Sequence, residues 1–420
     1  MKVLNINQWD IRGGSARASM RIHNGLLKMG VDSKLAVSGF CLQDHTLVPG
    51  LTRIAGESLI IAADACARKL QRMFSIEDMF YPSSSLLLRR PFYKEADIIQ
   101  LYGLHGGYFA LPVIKKMAAE KPVFWRLSDM WPFTGHCVYA GQCEKWQSGC
   151  GSCPVFKEYP YSMWFDTTAF HWRMKKELYK GINVTILAPS KWIYNLAKAS
   201  PLLKHWNIEL LPNGVDIAIF KPVPKTVSRS FWNLPENKGI LVLSSSVFGD
   251  PRKGSKLIDE IMSAVGAVVK HDDMHVLMIG KRYTPFEQKL AKYAEFTPTG
   301  LIEDQKLLSM AYSAGDVLLH PAIEENLSNS VMESMASGTT VACFDVGGLA
   351  DVVTSAENGC AAKRGDVNAL TAFIAKCLQD RACAGRLGAE AALCMQKEYS
   401  AEGESTRLAA MYRKQLTSKS

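Results

Sequence analysis

Val317-Leu318-Leu319-His320-Pro321-Ala322-Ile323-Glu324-Glu325-Asn326-Leu327-Ser328-Asn329-Ser330-Val331-Met332-Glu333-Ser334-Met335-Ala336-Ser337-Gly338 is the stretch on which the fold turns. Its three leading apolar residues read as a buried strand and the polar run after them as a turn. Residues 329–337 carry helical periodicity. A turn between a buried strand and a helix lies at the carboxyl end of a parallel strand, where open α/β sheets bind ligands. Working outward, short apolar runs recur at residues 240–243, 275–279 and 340–344, and earlier at 3–6, 98–101, 122–127 and 184–188. Strands alternating with helices predict parallel sheets with crossover helices, and two such series predict two doubly wound domains. Pro212-Asn213-Gly214-Val215-Asp216, running on to Pro222-Val223-Pro224, punctuates the change from one series to the other.

The chain has 420 residues, 48% apolar and 21% charged. At about 100–200 residues per domain this suits two large α/β domains and excludes disorder, collagen-like structure and a small disulfide scaffold. Lys plus Arg is 49 and Asp plus Glu is 40, a formal charge of +9. Residues 1–215 hold 26 basic and 16 acidic side chains, whereas residues 216–420 hold 23 and 24. The whole surplus sits in the first half. Such a field favours an anionic partner there, a membrane surface, a lipid diphosphate or nucleic acid, against which stands a merely solvated basic surface.

The chain opens Met1-Lys2-Val3-Leu4-Asn5-Ile6-Asn7-Gln8-Trp9, a strand rather than a signal peptide. Nowhere do 18 apolar residues run together, so no membrane-spanning helix and a cytoplasmic location are expected. Residues 55–95 include an apolar and basic helical stretch, Leu59-Ile60-Ile61 through Arg68-Lys69-Leu70-Gln71-Arg72-Met73-Phe74. It is expected to face a core, with an anionic membrane surface as the alternative.

Glu325 belongs to the turn of the opening stretch and Glu333, eight residues on, to its helix. Were both helical they would lie about 12 Å apart, too far for the carboxylates of a retaining glycosidase, at about 5–5.5 Å. They suit the two ends of one long ligand, with the N–H groups of the helix start offered to a phosphate. The plainer alternative is an exposed helix start, where acids favour the dipole.

The Glu325-x7-Glu333 spacing is followed by Ser334-Met335-Ala336-Ser337-Gly338 and Gly347-Gly348-Leu349-Ala350-Asp351-Val352-Val353. This resembles the retaining GT-B glycosyltransferases of family 4. Gly13-Gly14, Pro189-Ser190-Lys191-Trp192, Pro212-Asn213-Gly214-Val215-Asp216 and Arg252-Lys253-Gly254 match in the family's order. The resemblance covers nearly the whole chain. It implies an α/β GT-B fold of two Rossmann-like domains facing a cleft, residues 1–215 binding the acceptor and 216–399 the nucleotide sugar. The last helix, within residues 400–420, would pack back on the first domain.

The resemblance also implies roles. Glu333 would accept hydrogen bonds from the nucleotide ribose and Glu325 from the donor sugar. Arg252 and Lys253 would neutralise the departing diphosphate, as fixed cations do. Asn326, Leu327 and Ser328 would place backbone amides near the phosphates. At Gly13-Gly14, Gly14 would let the first loop approach the donor. No catalytic cofactor or diphosphate metal is then needed. The implied reaction moves a sugar from a nucleotide-diphosphate sugar to an acceptor hydroxyl with retention, the leaving phosphate taking the acceptor proton. The basic first half fits a lipid-linked saccharide acceptor of bacterial surface polysaccharide synthesis, at the inner membrane face.

One departure stands out. Relatives carry a His-Asp pair after the strand at 122–127, and here the pair is Ser128-Asp129. Serine does not match imidazole as a polarising group. His105, after the preceding strand, is the candidate substitute, though beside Gly106-Gly107 it reads equally as structural. Asp129 is a candidate for orienting the acceptor.

Eleven cysteines, an odd number, argue against a fully paired secreted framework. Four fall within 17 residues as Cys137-x5-Cys143-x6-Cys150-x2-Cys153. This suits a tetrahedral structural Zn²⁺ ordering a loop with little core of its own, although the spacing is not that of a common finger. Two disulfides or four packed thiols are the alternatives. The surrounding loop, residues 128–165, resembles one in exopolysaccharide and capsule glycosyltransferases of the colanic-acid type. The other seven cysteines are expected mostly in the core.

Two rival functions remain at this level. A nucleotide-sugar epimerase can share the GT-B fold and needs no acceptor. A zinc-containing nucleic-acid-binding protein would use the cysteine loop and basic half, yet the chain lacks a basic stripe interleaved with aromatics, so no nucleic-acid partner is expected. A dehydrogenase is disfavoured because Gly13-Gly14 is not followed by Gly-x-Gly-x-x-Gly spacing.

Overall fold

The structure, a computed structural model, describes residues 1–161, 163–245 and 248–417. Residues 418–420 of the expected C-terminal helix lie outside that range. The chain divides into two compact units, Met1–Asn213 with Glu404–Ser420, and Gly214–Gly403. The division thus falls two residues ahead of residue 215, and the chain rejoins the first unit at Glu404.

The first unit carries β1 (Lys2–Trp9), β2 (Asp32–Gly39), β3 (Leu51–Arg53), β4 (Ile98–Leu101), β5 (Val123–Arg126), β6 (Thr185–Ala188) and β7 (Asn207–Leu210). They form one parallel sheet in the order β3-β2-β1-β4-β5-β6-β7. Strands β4, β5 and β6 are buried at every position, as expected of a sheet covered on both faces. Alternation divides the core. Leu4, Ile6, Ile99, Leu101, Val123, Trp125 and Ile186 pack on one face, and Val3, Ile98, Phe124 and Leu187 on the other. The second face is covered by Ile22 and Leu26 of helix Gly14–Lys28 and by Leu408, Ala409 and Tyr412 of helix Ala401–Thr417. Tyr412 stacks edge-on against Phe124 at 4.8 Å, and its hydroxyl donates to Gln100 at 2.7 Å. Arg126 and Glu404 form a buried ion pair at 2.7 Å, and Arg126 also donates to the Leu211 carbonyl.

The second unit carries β8 (Gly239–Ser244), β9 (Met274–Ile279), β10 (Glu295–Gly300), β11 (Val317–His320), β12 (Thr340–Phe344) and β13 (Gly359–Ala362). Their parallel sheet has the order β10-β9-β8-β11-β12-β13. Val317 pairs with both Leu241 and Thr340, which seats β11 between β8 and β12. The strand order therefore reverses at β1/β4 in the first sheet and at β8/β11 in the second, the positions where such sheets bind ligands.

One expectation fails. Helix Ser58–Met73 reaches the core through Ala67 alone, the one buried residue of its 16. Its polar side holds it down instead. Gln71 donates to the Phe80 carbonyl at 2.8 Å and accepts from the Met79 and Phe80 amides, while Asp64 accepts from Ser83. The apolar side is left outward. Cys66 on this helix and Cys41 are likewise exposed, whereas Cys343, Cys377 and Cys383 are buried as expected.

Candidate functional site

In the second unit the two strands at the reversal deliver the candidate charges. The chain leaves β8 and enters a short 3-10 turn, Pro251–Lys253, capped by Asp250, whose carboxylate accepts from the Arg252 amide at 2.9 Å. Asp250 also pairs with the Arg252 guanidinium at 3.3 Å. Lys253 reaches across to Glu325, in the turn after β11, and its ammonium donates to the carboxylate. His320, the last residue of β11, lies 3.8 Å from the same carboxylate oxygen. Burial works to raise the Glu325 carboxyl, but Lys253 and His320 override it and hold the group well below the usual carboxylate range. Burial lowers His320, against the pull of the Glu325 carboxylate beside it.

Glycines lock these turns together. Gly254 is left-handed (φ 79°), and a Cβ there would lie 1.9 Å from the Pro321 carbonyl oxygen. Gly347, also left-handed (φ 59°), would place a Cβ 1.4 Å from the Glu325 carbonyl oxygen. The Ile323 amide donates to Arg252, and the Gly348 amide to Asn326 at 2.7 Å. The loops after β8, β11 and β12 are thus one interlocked layer, admissible only because two residues lack side chains.

Asn326, Leu327 and Ser328 are buried and lead into helix Asn329–Ala336, whose N-cap is Ser328. Glu333 is buried within that helix, so neither it nor Glu325 is the exposed helix-start acid of the plainer reading. Sequence reasoning missed His320 and Asp250. Asp250-Pro251 ahead of two cations was the available signal for the cap, whereas nothing marked His320.

In the first unit, Gly13 (φ 91°) is the N-cap of helix Gly14–Lys28 directly after β1. No atom lies within 4 Å of a Cβ built at Gly13, so its backbone angle is what demands glycine. The structure joins His105 and Asp129, which the sequence offered separately: His105 Nε2 lies 2.9 Å from Asp129 Oδ2. The other carboxylate oxygen accepts from the Trp131 amide at 2.9 Å. Burial alone would lower the imidazole, but the Asp129 carboxylate outweighs it and raises the group above its ordinary value. The rings of Trp131 and Tyr159 flank His105, at 5.8 Å and 5.7 Å.

Cys137, Cys143, Cys150 and Cys153 are unpaired and line a single small pocket with Lys145, Trp146 and Thr168. The Gly135 amide donates to Cys150 Sγ at 3.2 Å. Burial pushes the Cys137 thiol up to about 12 and Cys150 up to about 11. Among the described residues no three His, Cys, Asp or Glu side chains are already arranged to hold a metal ion. A bound ion would require the four thiols to turn toward one another.

Residues 240–380, which contain the interlocked layer and both glutamates, match the family described as glycosyl transferases group 1. The match falls entirely within the second unit. Across 80% of this chain and 82% of the relative, the sequence is 22% identical to WcaC of Escherichia coli strain K12, whose name assigns it provisionally as a colanic acid biosynthesis glycosyl transferase. It is 36% identical over 180 residues to the 2-deoxystreptamine glucosyltransferase of Streptomyces kanamyceticus, covering 42% of this chain and 46% of that one. Among solved structures, the sucrose-phosphate synthase of Thermosynechococcus elongatus superposes with a TM-score of 0.69 at 20% identity, over 100% of both chains. HepE of Anabaena, solved in complex with UDP and glucose, superposes at 0.68 with 15% identity, over 99% of this chain and 100% of that one. The α/β fold of two Rossmann-like parallel-sheet units is that of the GT-B class.

Proposed function

We propose that this protein is a retaining, family 4 glycosyltransferase that moves a sugar from a nucleotide-diphosphate sugar to a hydroxyl of a lipid-linked saccharide in surface polysaccharide synthesis. The observation that carries the reading is the Lys253–Glu325 pair at the β8/β11 reversal. It sets a fixed carboxylate and two cations beside the start of helix Asn329–Ala336. A diphosphate needs that charge pattern and a sugar needs that acceptor. The UDP and glucose bound by HepE and the assignment of WcaC support the same reading.

In the proposed reaction the bond from the anomeric carbon to the diphosphate oxygen breaks and the acceptor oxygen bonds on the same face. The leaving phosphate takes the acceptor proton. Arg252 and Lys253 stabilise the charge on the leaving group, Glu325 holds sugar hydroxyls and Glu333 the ribose. The His105–Asp129 pair orients the acceptor, which answers the loss of the usual His at Ser128. The leaving phosphate does the proton transfer, so these residues supply orientation and charge stabilisation. A structural zinc on Cys137, Cys143, Cys150 and Cys153 completes the reading, drawing together thiols that already share a pocket.

Calorimetric titration with UDP, GDP, ADP and dTDP, on the wild type and Glu333→Gln, tests the centre of this reading. One diphosphate should bind selectively. The variant should weaken it about 10- to 100-fold, the worth of a charge-assisted hydrogen bond. Absence of binding by any of the four to a folded protein would overturn it.

A further inference from the structure

We infer that the first unit docks on an anionic lipid bilayer through the outer side of helix Ser58–Met73 and the neighbouring aromatics Trp164 and Phe165. The helix is mounted inside out. Asp64 and Gln71 fasten it to residues 79–83 through hydrogen bonds. Leu59, Ala62, Ala63, Cys66, Leu70 and Met73 recur at three- and four-residue spacing on the opposite side, all exposed. Leu59 is 85% exposed, Leu70 57%, Met73 57% and Phe74, just past the helix, 63%. A soluble surface does not ordinarily gather large apolar side chains along one stripe.

A second segment meets the first at Ser75. The Ser75 hydroxyl accepts from the Trp164 amide at 2.7 Å and the Phe165 amide at 2.9 Å, and its carbonyl accepts from the Thr167 hydroxyl. Trp164 (76% exposed) and Phe165 (64%) are therefore held beside the helix end. Trp and Phe in that setting are suited to the headgroup region.

Charge selects the occupant. Lys69 stands exposed among the apolar residues of the same turns, Arg72 beside it is exposed but paired with the buried Glu77 at 2.7 Å, and residues 1–215 carry a surplus of ten positive charges. A second copy of this chain would bring the same surplus to the face, whereas an anionic bilayer offers apolar depth and opposite charge together. No helix among the described residues is long and apolar enough to cross a membrane, so the attachment is peripheral.

The test is co-sedimentation of the full chain with vesicles of phosphatidylcholine alone and with a phosphatidylglycerol fraction, with light scattering to report oligomeric state. The wild type should bind the anionic vesicles at least tenfold more tightly. Leu70→Glu with Met73→Glu, and separately Trp164→Ala with Phe165→Ala, should each remove at least tenfold of that binding. Thermal melting should be unchanged, since these side chains are exposed. Equal binding to both vesicle types, retention by both double variants, or a stable dimer that the double variants dissociate would overturn the inference. The readout needs no activity, so it stands apart from the glycosyltransferase reading.

Discussion

Lys253 donates a hydrogen bond to Glu325, linking the turns after β8 and β11, the two strands at which the second sheet reverses its order. The carboxylate is 9% exposed and the lysine side chain 29%, so the buried carboxylate relies on the lysine for compensation. Lys253→Met should therefore strand a buried carboxylate and cost about 2 kcal/mol, less than a fully buried pair because the lysine is partly solvated. Adding Glu325→Gln should recover part of that loss. Urea unfolding of the single and double variants measures the coupling, and recovery of none of the loss would deny the pair.

The same pair sets an acid limit. Glu325 is held far below the usual carboxylate range, so its contribution to stability is fully present above about pH 4.5. It is lost only as pH falls through the depressed folded value. Glu325→Gln should flatten the acid limb of the stability curve while leaving the neutral region parallel.

For the His105–Asp129 pair the sign is opposite. The folded imidazole is raised, so its contribution is complete below about pH 6.5 and fades as pH rises through the folded value. His105→Gln should remove this slope, visible in melting temperatures from pH 5 to 9. An unaltered slope would assign the effect to other groups.

Glycine substitutions should separate packing from backbone strain. Gly347→Ala drives a methyl into the Glu325 carbonyl, and nucleotide binding and activity should be abolished, or nearly so. Gly13→Ala meets no atom within 4 Å and should cost about 1–3 kcal/mol for its positive-φ backbone alone. Comparable damage from both would show that the interlock has no special weight.

The returning helix is integral to the first unit. Leu408→Ala should cost about 3 kcal/mol through cavity formation, and Tyr412→Phe about 1 kcal/mol through the lost bond to Gln100. Removing residues 404–417 would also leave Arg126 buried without Glu404, and the shortened chain should be recovered insoluble.

Metal analysis of protein purified without added zinc should find about one zinc per chain. Cys150→Ser with Cys153→Ser should lose the metal and loosen the loop to proteolysis. A zinc-free protein with the same melting temperature as a zinc-treated one would reduce the four cysteines to packed thiols.

How much was legible in the sequence follows the range of the interactions involved. Strand–turn–helix rhythm, the turn after β11 and the order of the motifs are local patterns, set by residues within a few positions of one another, and the amino-acid sequence by itself determined them. The short strands β3 and β7, at the edges of their sheet, carried no such signal. Three relationships were decided only by tertiary structure. Lys253 meets Glu325 across 72 residues, and His105 meets Asp129 across 24, because parallel strands carry their ends to one edge. Helix Ser58–Met73 turned its polar side inward because Asp64 and Gln71 found backbone partners at residues 79–83. Periodicity shows that a helix has two sides. Which side the rest of the chain takes depends on hydrogen bonds that exist only once it has folded.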